Sequence, residues 1–203
     1  MKTLTEKEAE DFLEKKGFKV VKRALIKNKE QIKELKEKLK FPWVMKISSR
    51  HIVHKAKIGG TILNIKNQKQ AEKAFDKLKS INSFEGILIQ EMQSGEELIL
   101  GIKNTEEFGN VIMLGKGGSN VEEEKDISFR VPPIKEKEAE KMLKELKVYN
   151  KIKNKINKEQ IIKALLKLSK LAEKQKNIKE LDINPMIINK TQTIAVDARA
   201  VLN

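Results

Sequence analysis

No cysteine occurs among the 203 residues, so a disulfide framework and a thiolate metal site are both excluded, which fits a reducing compartment. No apolar run approaches the roughly 20 residues that a membrane span needs. The N-terminus carries Glu6, Glu8, Glu10 and Asp11 in place of the apolar core of a signal peptide. The expectation is a cytoplasmic chain with no membrane contact, long enough to bury a core as one domain or as two lobes.

Arginine is also scarce. Only Arg23, Arg50, Arg130 and Arg199 occur, although the formal net charge is +14, so nearly all of the positive charge is lysine. Guanine edges and phosphate clamps favour the arginine fork. The lysines alternate with glutamate along Asn28 to Lys40 and Lys135 to Lys147, the pattern of solvated helix faces. A lysine-rich surface is expected, and a nucleic-acid partner is not.

Four helix starts carry one signal, a capping residue with Glu or Gln three positions on: Thr5 with Glu8, Asn28 with Gln31, Asn67 with Gln70, and Asn157 with Gln160. Apolar residues at helical spacing follow each of them. A fifth helix is expected around Lys135 to Val148, behind Pro132 and Pro133. Strands are expected at Trp43 to Ile47, Thr61 to Ile65, Gly86 to Met92, Leu98 to Lys103, Val111 to Leu114, Leu181 to Ile188 and Thr193 to Val196. Adjacent strands such as Leu98 to Lys103 and Val111 to Leu114 imply antiparallel hairpins, so an α+β cleft fold is favoured over a parallel doubly wound sheet. Seven of the 10 glycines fall between Gly86 and Gly118, where backbone must turn sharply or approach something closely.

Three constellations can carry chemistry. In the first, Lys46 lies on a strand that leads into "SSRHIVHKAKIGGT". A strand lysine can reach phosphate oxygens while hydroxyls, histidines and glycine-adjacent amides donate from a loop; the alternative is an edge-strand lysine with a solvated head. His51 and His54 are the only histidines. The loop offers them no carboxylate to complete a metal shell. Its cationic setting suits a histidine that meets phosphate, as nucleophile or donor, against the alternative of a surface imidazole.

The second is the pair "ELDINPMII" and "TIAVDARAVL". A period of two puts Glu180, Asp182 and Asn184 on one face. If Asn189 to Gln192 form the turn, Ile188 stands opposite Thr193 and Asn184 opposite Asp197. An amide oxygen and a carboxylate then converge, a hard-oxygen pair of the kind that holds Mg²⁺ with water and phosphate; the plainer reading is a polar hairpin with a bulge at Pro185. The third is "GILIQEMQSGEELILG", whose strand-to-strand hinge at Glu91 and Met92 can offer backbone groups to an adenine edge. Glu97, just beyond it, can accept from ribose hydroxyls. Most such stretches are plain hairpins.

In this order, "FPWVMKISS", "HKAKIGGTILNI", "GILIQEM", "EELILGI", "FGNVIMLGKGG", "KDISFRVPPI", "ELDINPMII" and "AVDARAVL" resemble the ATP-grasp subunit of ADP-forming acyl-CoA synthetases, the beta subunit of acetate-CoA ligase, similar also to succinyl-CoA synthetase beta. The resemblance covers nearly the whole chain. It implies a single ATP-grasp domain over 1–203, with a small nucleotide-binding lobe at 19–92, a larger lobe from 1–18 plus 93–203 that carries the metal-binding hairpin, and nucleotide between the lobes. It implies ATP or ADP as substrate, with Lys46 on the phosphates, Glu91 and Met92 at the adenine, Glu97 toward the ribose, and Asn184 and Asp197 on Mg²⁺. It further implies that His54 relays a phosphoryl group between a phosphohistidine on a CoA-binding alpha subunit and ADP, oriented by Asp182, in a heterotetramer. A catalytically silent nucleotide-binding partner and another ATP-grasp carboxylate ligase are the competing readings. The chain departs from the family pattern at Glu122, Glu123 and Glu124 after the double glycine, at the shortened "VYNKIKNKINKEQ", and at Arg50 and His51.

Overall fold

The computed structural model describes residues 1–50, 52, 55, 58–118 and 125–203. In chain order the elements begin with strand β1 (Lys2–Thr3), helix α1 (Glu6–Lys15) and strand β2 (Arg23–Ile26). A 3-10 turn (Lys29–Gln31) and a one-turn helix α2 (Ile32–Leu35) precede strands β3 (Trp43–Ser48) and β4 (Thr61–Ile65), helix α3 (Gln68–Lys79) and strand β5 (Gly86–Glu91). Strands β6 (Glu96–Thr105), β7 (Gly109–Lys116) and β8 (Ile127–Arg130) come next, then helices α4 (Glu136–Glu145), α5 (Tyr149–Ile152) and α6 (Lys158–Lys174). Strands β9 (Ile178–Ile188), β10 (Thr193–Ala195) and β11 (Ala198–Leu202) complete the chain. Residues 1–20 with 94–203 form one unit and residues 21–93 another.

The smaller unit is a four-stranded sheet in the order β2-β5-β3-β4, antiparallel throughout. Alternation splits its strands cleanly. Trp43, Met45 and Ile47 on β3 and Ile87 and Ile89 on β5 pack with Ile32, Leu35, Ala71, Phe75 and Leu78 of the helices. Val44, Lys46, Leu88 and Gln90 point to the opposite face. Trp43 is fully buried, stacks on Phe41 at 4.0 Å between ring centroids and donates its indole N–H to the Leu39 carbonyl at 3.3 Å.

The larger unit is a seven-stranded antiparallel sheet in the order β1-β11-β9-β6-β7-β8, with β10 also on β9. Its core joins Leu98, Leu100 and Ile102 of β6, Ile112 and Leu114 of β7, and Leu181 and Ile183 of β9 to the apolar stripes of α1, α4 and α6. Among the described residues one face of this sheet carries the helices, and the polar residues that interrupt β9 fall on the other.

Three of the expected helix starts are built as the sequence implies. Thr5 and Glu8 form a full capping box, Asn67 accepts from the Gln70 amide, and Asn157 from the Gln160 amide. The fourth is a correction: no long helix runs from Asn28 to Lys40. The Gln31 side chain does accept from the Asn28 amide, but the helix ends at Leu35 and the chain turns back with the Leu39 amide on the Leu35 carbonyl. Pro42 bars the preceding residue from helical backbone, so the segment closes as a turn under Trp43. The expected helix over Lys135 to Val148 likewise stops at Glu145, and a separate turn, α5, follows.

Candidate functional site

The C-terminal hairpin has the register that its sequence implies. Thr193 pairs with Ile188 and Ala195 with Met186, and Ala198 pairs with Ile183. Asn184 therefore faces Asp197, and its amide donates to the Asp197 carbonyl at 3.1 Å. Pro185 has no N–H for the sheet, and the β6–β9 ladder slips by one residue opposite it, between Leu98 and Leu100. The turn is tied down by Asn189, whose side-chain oxygen accepts from the Thr191 and Gln192 amides and whose Nδ2 donates to the Ser94 carbonyl. Gln160, in the first turn of α6, donates to the Thr191 carbonyl, so the long helix fixes the hairpin end.

Asp182 lies at the centre of the open face, in register with Arg199 on β11 and Gly101 on β6. Gly101 is needed there for close approach. A Cβ on it would meet the Leu181 carbonyl oxygen at 3.0 Å, Asp182 Oδ1 at 3.1 Å and Met113 Cε at 3.3 Å. Burial, followed by the charge and the hydrogen bond of Glu180, raises the Asp182 pKa from its ordinary 3.8 to about 6, against the opposing pull of Arg199 and Lys103. Lys103 pairs instead with Glu180 at 3.4 Å. The group is thus an ionised carboxylate at neutral pH that takes up a proton easily.

The sign of the resulting stability effect is fixed. Folded Asp182 holds its proton more tightly than unfolded Asp182, so the metal-free protein loses this contribution as pH rises from about 4 to about 6. Glu140, hydrogen-bonded by Lys158 and then Lys144, and Glu145, bound by Arg130 and then Ser128, sit below their ordinary value and act in the opposite sense. Asp182→Asn isolates the first effect. Chemical denaturation at about pH 4 and about pH 7 should show the variant gaining on wild type at the higher pH; an equal difference at both would contradict the assignment.

In the smaller unit Lys46 is 7% exposed, with Leu88 and Thr61 as its cross-strand partners. Glu91 ends β5, and its carboxylate accepts from the Lys40 amide at 2.9 Å. Its own amide donates to the Lys22 carbonyl, and the Met92 amide donates to the Pro42 carbonyl at 2.8 Å. The Met92 side chain is exposed, so at this hinge the thioether is open for a ring contact and the Met92 amide is already engaged. In the larger unit Glu97 is the second residue of β6, beside the glycine turn after β7. Its carbonyl accepts from Gly117 at 2.9 Å, and a Cβ at Gly118, whose φ is +104°, would stand 3.0 Å from Glu97 Oε2. His54, its neighbour His51 and the run 119–124 lie outside the described residues.

Asn184 and Asp197 suit magnesium by donor chemistry, since an amide oxygen and one carboxylate leave the remaining positions to water and phosphate. Among the described residues no group of three or more acidic or histidine side chains is placed to hold a metal ion. Sequence reasoning missed Arg199, Lys103 and Gly101 around Asp182. The hairpin register that sets Asn184 opposite Asp197 also sets Asp182 opposite Arg199, so that signal was present; Lys103 and Gly101 arrive through a ladder between strands far apart in sequence.

The family described as an ATP-grasp domain matches residues 1–202. The acetate--CoA ligase [ADP-forming] II of Archaeoglobus fulgidus is 37% identical over 206 residues, a stretch that covers 98% of this chain and 30% of that protein. The chain thus spans about a third of that relative. The beta subunit of acetate--CoA ligase [ADP-forming] I from Pyrococcus furiosus is 35% identical, with 98% of this chain and 91% of the subunit covered. Among solved structures, the dinucleotide forming acetyl-coenzyme A synthetase 1 of Ca. Korarchaeum cryptofilum, in complex with coenzyme A and Ca-AMPCP, superposes with a TM-score of 0.93 at 34% identity over 100% of this chain and 94% of that one. Another structure of that protein, with coenzyme A and Mg-AMPPCP, has a phosphohistidine segment pointing towards the nucleotide binding site, and superposes with a TM-score of 0.87 at 34% identity over 100% of this chain and 93% of that one.

Proposed function

Since the chain belongs to the ATP-grasp family, we propose that it is the nucleotide-binding, phosphoryl-transferring subunit of an ADP-forming acyl-CoA synthetase. The overall reaction converts acyl-CoA, ADP and phosphate into carboxylic acid, CoA and ATP. The observation that carries this reading is the open face of the C-terminal hairpin, where Asp182 stands beside the Asn184 and Asp197 pair. A carboxylate that can orient a histidine, next to a hard-oxygen pair that can hold a metal ion, is the donor set that suits phosphoryl transfer through a histidine.

Residues 19–92 would act as the small nucleotide-binding lobe, and residues 1–18 plus 93–203 as the larger. Lys46 would neutralise phosphate oxygens, and its low exposure strengthens that attraction. Met92 would pack on the adenine and Glu91 would set the hinge through Lys40. Glu97 would accept from ribose hydroxyls, with the bare Gly117–Gly118 backbone leaving it room. Asn184 and Asp197 would hold Mg²⁺, whose charge offsets that of the phosphates.

His54 would take the phosphoryl group from a phosphohistidine on the CoA-binding alpha subunit, a nitrogen–phosphorus bond forming as the donor's breaks. An ADP oxygen would then displace His54. Asp182 would accept from the other ring N–H, fixing the tautomer and steadying the cation. The working enzyme is proposed to be a cytoplasmic heterotetramer of two such pairs; among the described residues no helix is long and apolar enough to cross a membrane.

The test is reconstitution. The chain alone is expected to bind Mg-ADP in calorimetry, and with its alpha subunit, acyl-CoA, ADP and phosphate to form ATP. Failure of both would sink the reading.

A further inference from the structure

The row through Asp182 continues across the sheet. Arg199, Asp182, Gly101, Met113 and Phe129 are successive cross-strand partners on β11, β9, β6, β7 and β8, so all share the open face. A second row runs Glu180, Lys103, Val111, and one step beyond the Ile112–Arg130 pair sets Val131 beside Val111. A third holds Ile99, Gly115 and Ile127. The face is therefore polar over β9 and β11 and apolar over β7 and β8. Phe129 is 54% exposed and Val131 52%, and Phe108, at the tip of the β6–β7 hairpin, is bare as well. A chain with only 7 phenylalanines that leaves Phe129 bare on its edge strand, with Val131 directly after it, has a use for that surface beyond folding.

We infer that the strip formed by Val111, Met113, Ile127, Phe129 and Val131 is where the partner subunit of the synthetase docks. This rests on reading the chain as one subunit of such an enzyme. The occupant follows from three observations. The same fold makes up 30% of the A. fulgidus chain yet stands as a separate subunit in P. furiosus, so it must present a surface to the rest of one chain or to a second one. The strip is continuous with the Asp182 row, and Phe129 lies about 14 Å from Asp182 at the usual strand spacing. A partner seated on it borders Asp182, the carboxylate proposed to orient the histidine that receives the phosphoryl group. The third is charge. A second copy of a chain with a net charge of +14 is repelled at long range, whereas a neutral or acidic partner is not. Subunits that stay together through turnover also meet through apolar surface.

The experiment compares wild type with the double variant Phe129→Ser and Val131→Ser, each co-purified with the CoA-binding alpha subunit of its own synthetase. Leu63→Ser, at an exposed residue of β4, is the control for loss of apolar surface as such. The double variant is expected to weaken assembly at least about 30-fold by sedimentation velocity, as loss of a central apolar anchor does, while the control assembles normally. Unchanged assembly in the double variant overturns the inference. So does a wild-type chain that self-associates at micromolar concentration through a contact that the double variant abolishes. Mg-ADP binding by the free chain reports on the functional reading separately. Its absence beside a retained assembly contrast sinks that reading and leaves the interface standing, and its presence beside unchanged assembly sinks the interface alone.

Discussion

Lys46→Met is expected to lower phosphoryl transfer about 10²–10³-fold, the usual cost of removing one preorganised positive donor from charge that develops in a transition state. The reasons are positional. Lys46 leaves the strand on the face opposite the helices, between Val44 and Ser48, and β3 is held in register by strands on both sides. Methionine keeps the length and apolar stem of the side chain, so the packing along the strand is retained while the charge is lost. Turnover should therefore collapse in a chain that still folds and unfolds cooperatively. Equal loss of stability and activity would make Lys46 a structural lysine, and unchanged turnover would remove it from the phosphate site.

Much of this arrangement is legible in the sequence, and the legible parts share a property: their signals are local. Thr5, Asn67 and Asn157 cap helices by contacts three residues away. The β9–β10 hairpin fixes its own register, so Ile188 opposite Thr193 leads by counting to Asn184 opposite Asp197. Alternation alone separates Asp182 and Asn184 from Leu181 and Ile183. Antiparallel pairing throughout both sheets agrees with the α+β class.

The elements that escaped are those decided by distant partners. β2 has only four residues, Arg23–Ile26, and exists because β5 offers it an edge. β8 forms on β7 in the same way. In the segment after Asn28, Ile32, Leu35 and Leu39 have helical spacing, yet all three are buried under the small sheet by a turn, because Phe41 and Pro42 must deliver Trp43 to its strand. The identity of Asp182 as a carboxyl group with a pKa of about 6 was equally out of reach. It arises from burial and from Glu180, balanced against Arg199 and Lys103, and two of those neighbours come from other strands.

The proposed chemistry turns on His54 as the phosphoryl carrier, and its largest expected effect is the complete loss of that carrier in His54→Asn. A phosphoramidate has no substitute in an asparagine side chain, so the variant should bind Mg-ATP and transfer nothing. The decisive measurement is incubation of the purified chain with Mg²⁺ and γ-labelled ATP, alone and with its alpha subunit, followed by acid and alkali treatment of the protein. Acid-labile, alkali-stable label on the wild-type chain and none on the His54→Asn chain is the predicted result. Label of equal amount on both chains, or none on a wild-type chain that binds Mg-ATP, would contradict a relay through His54.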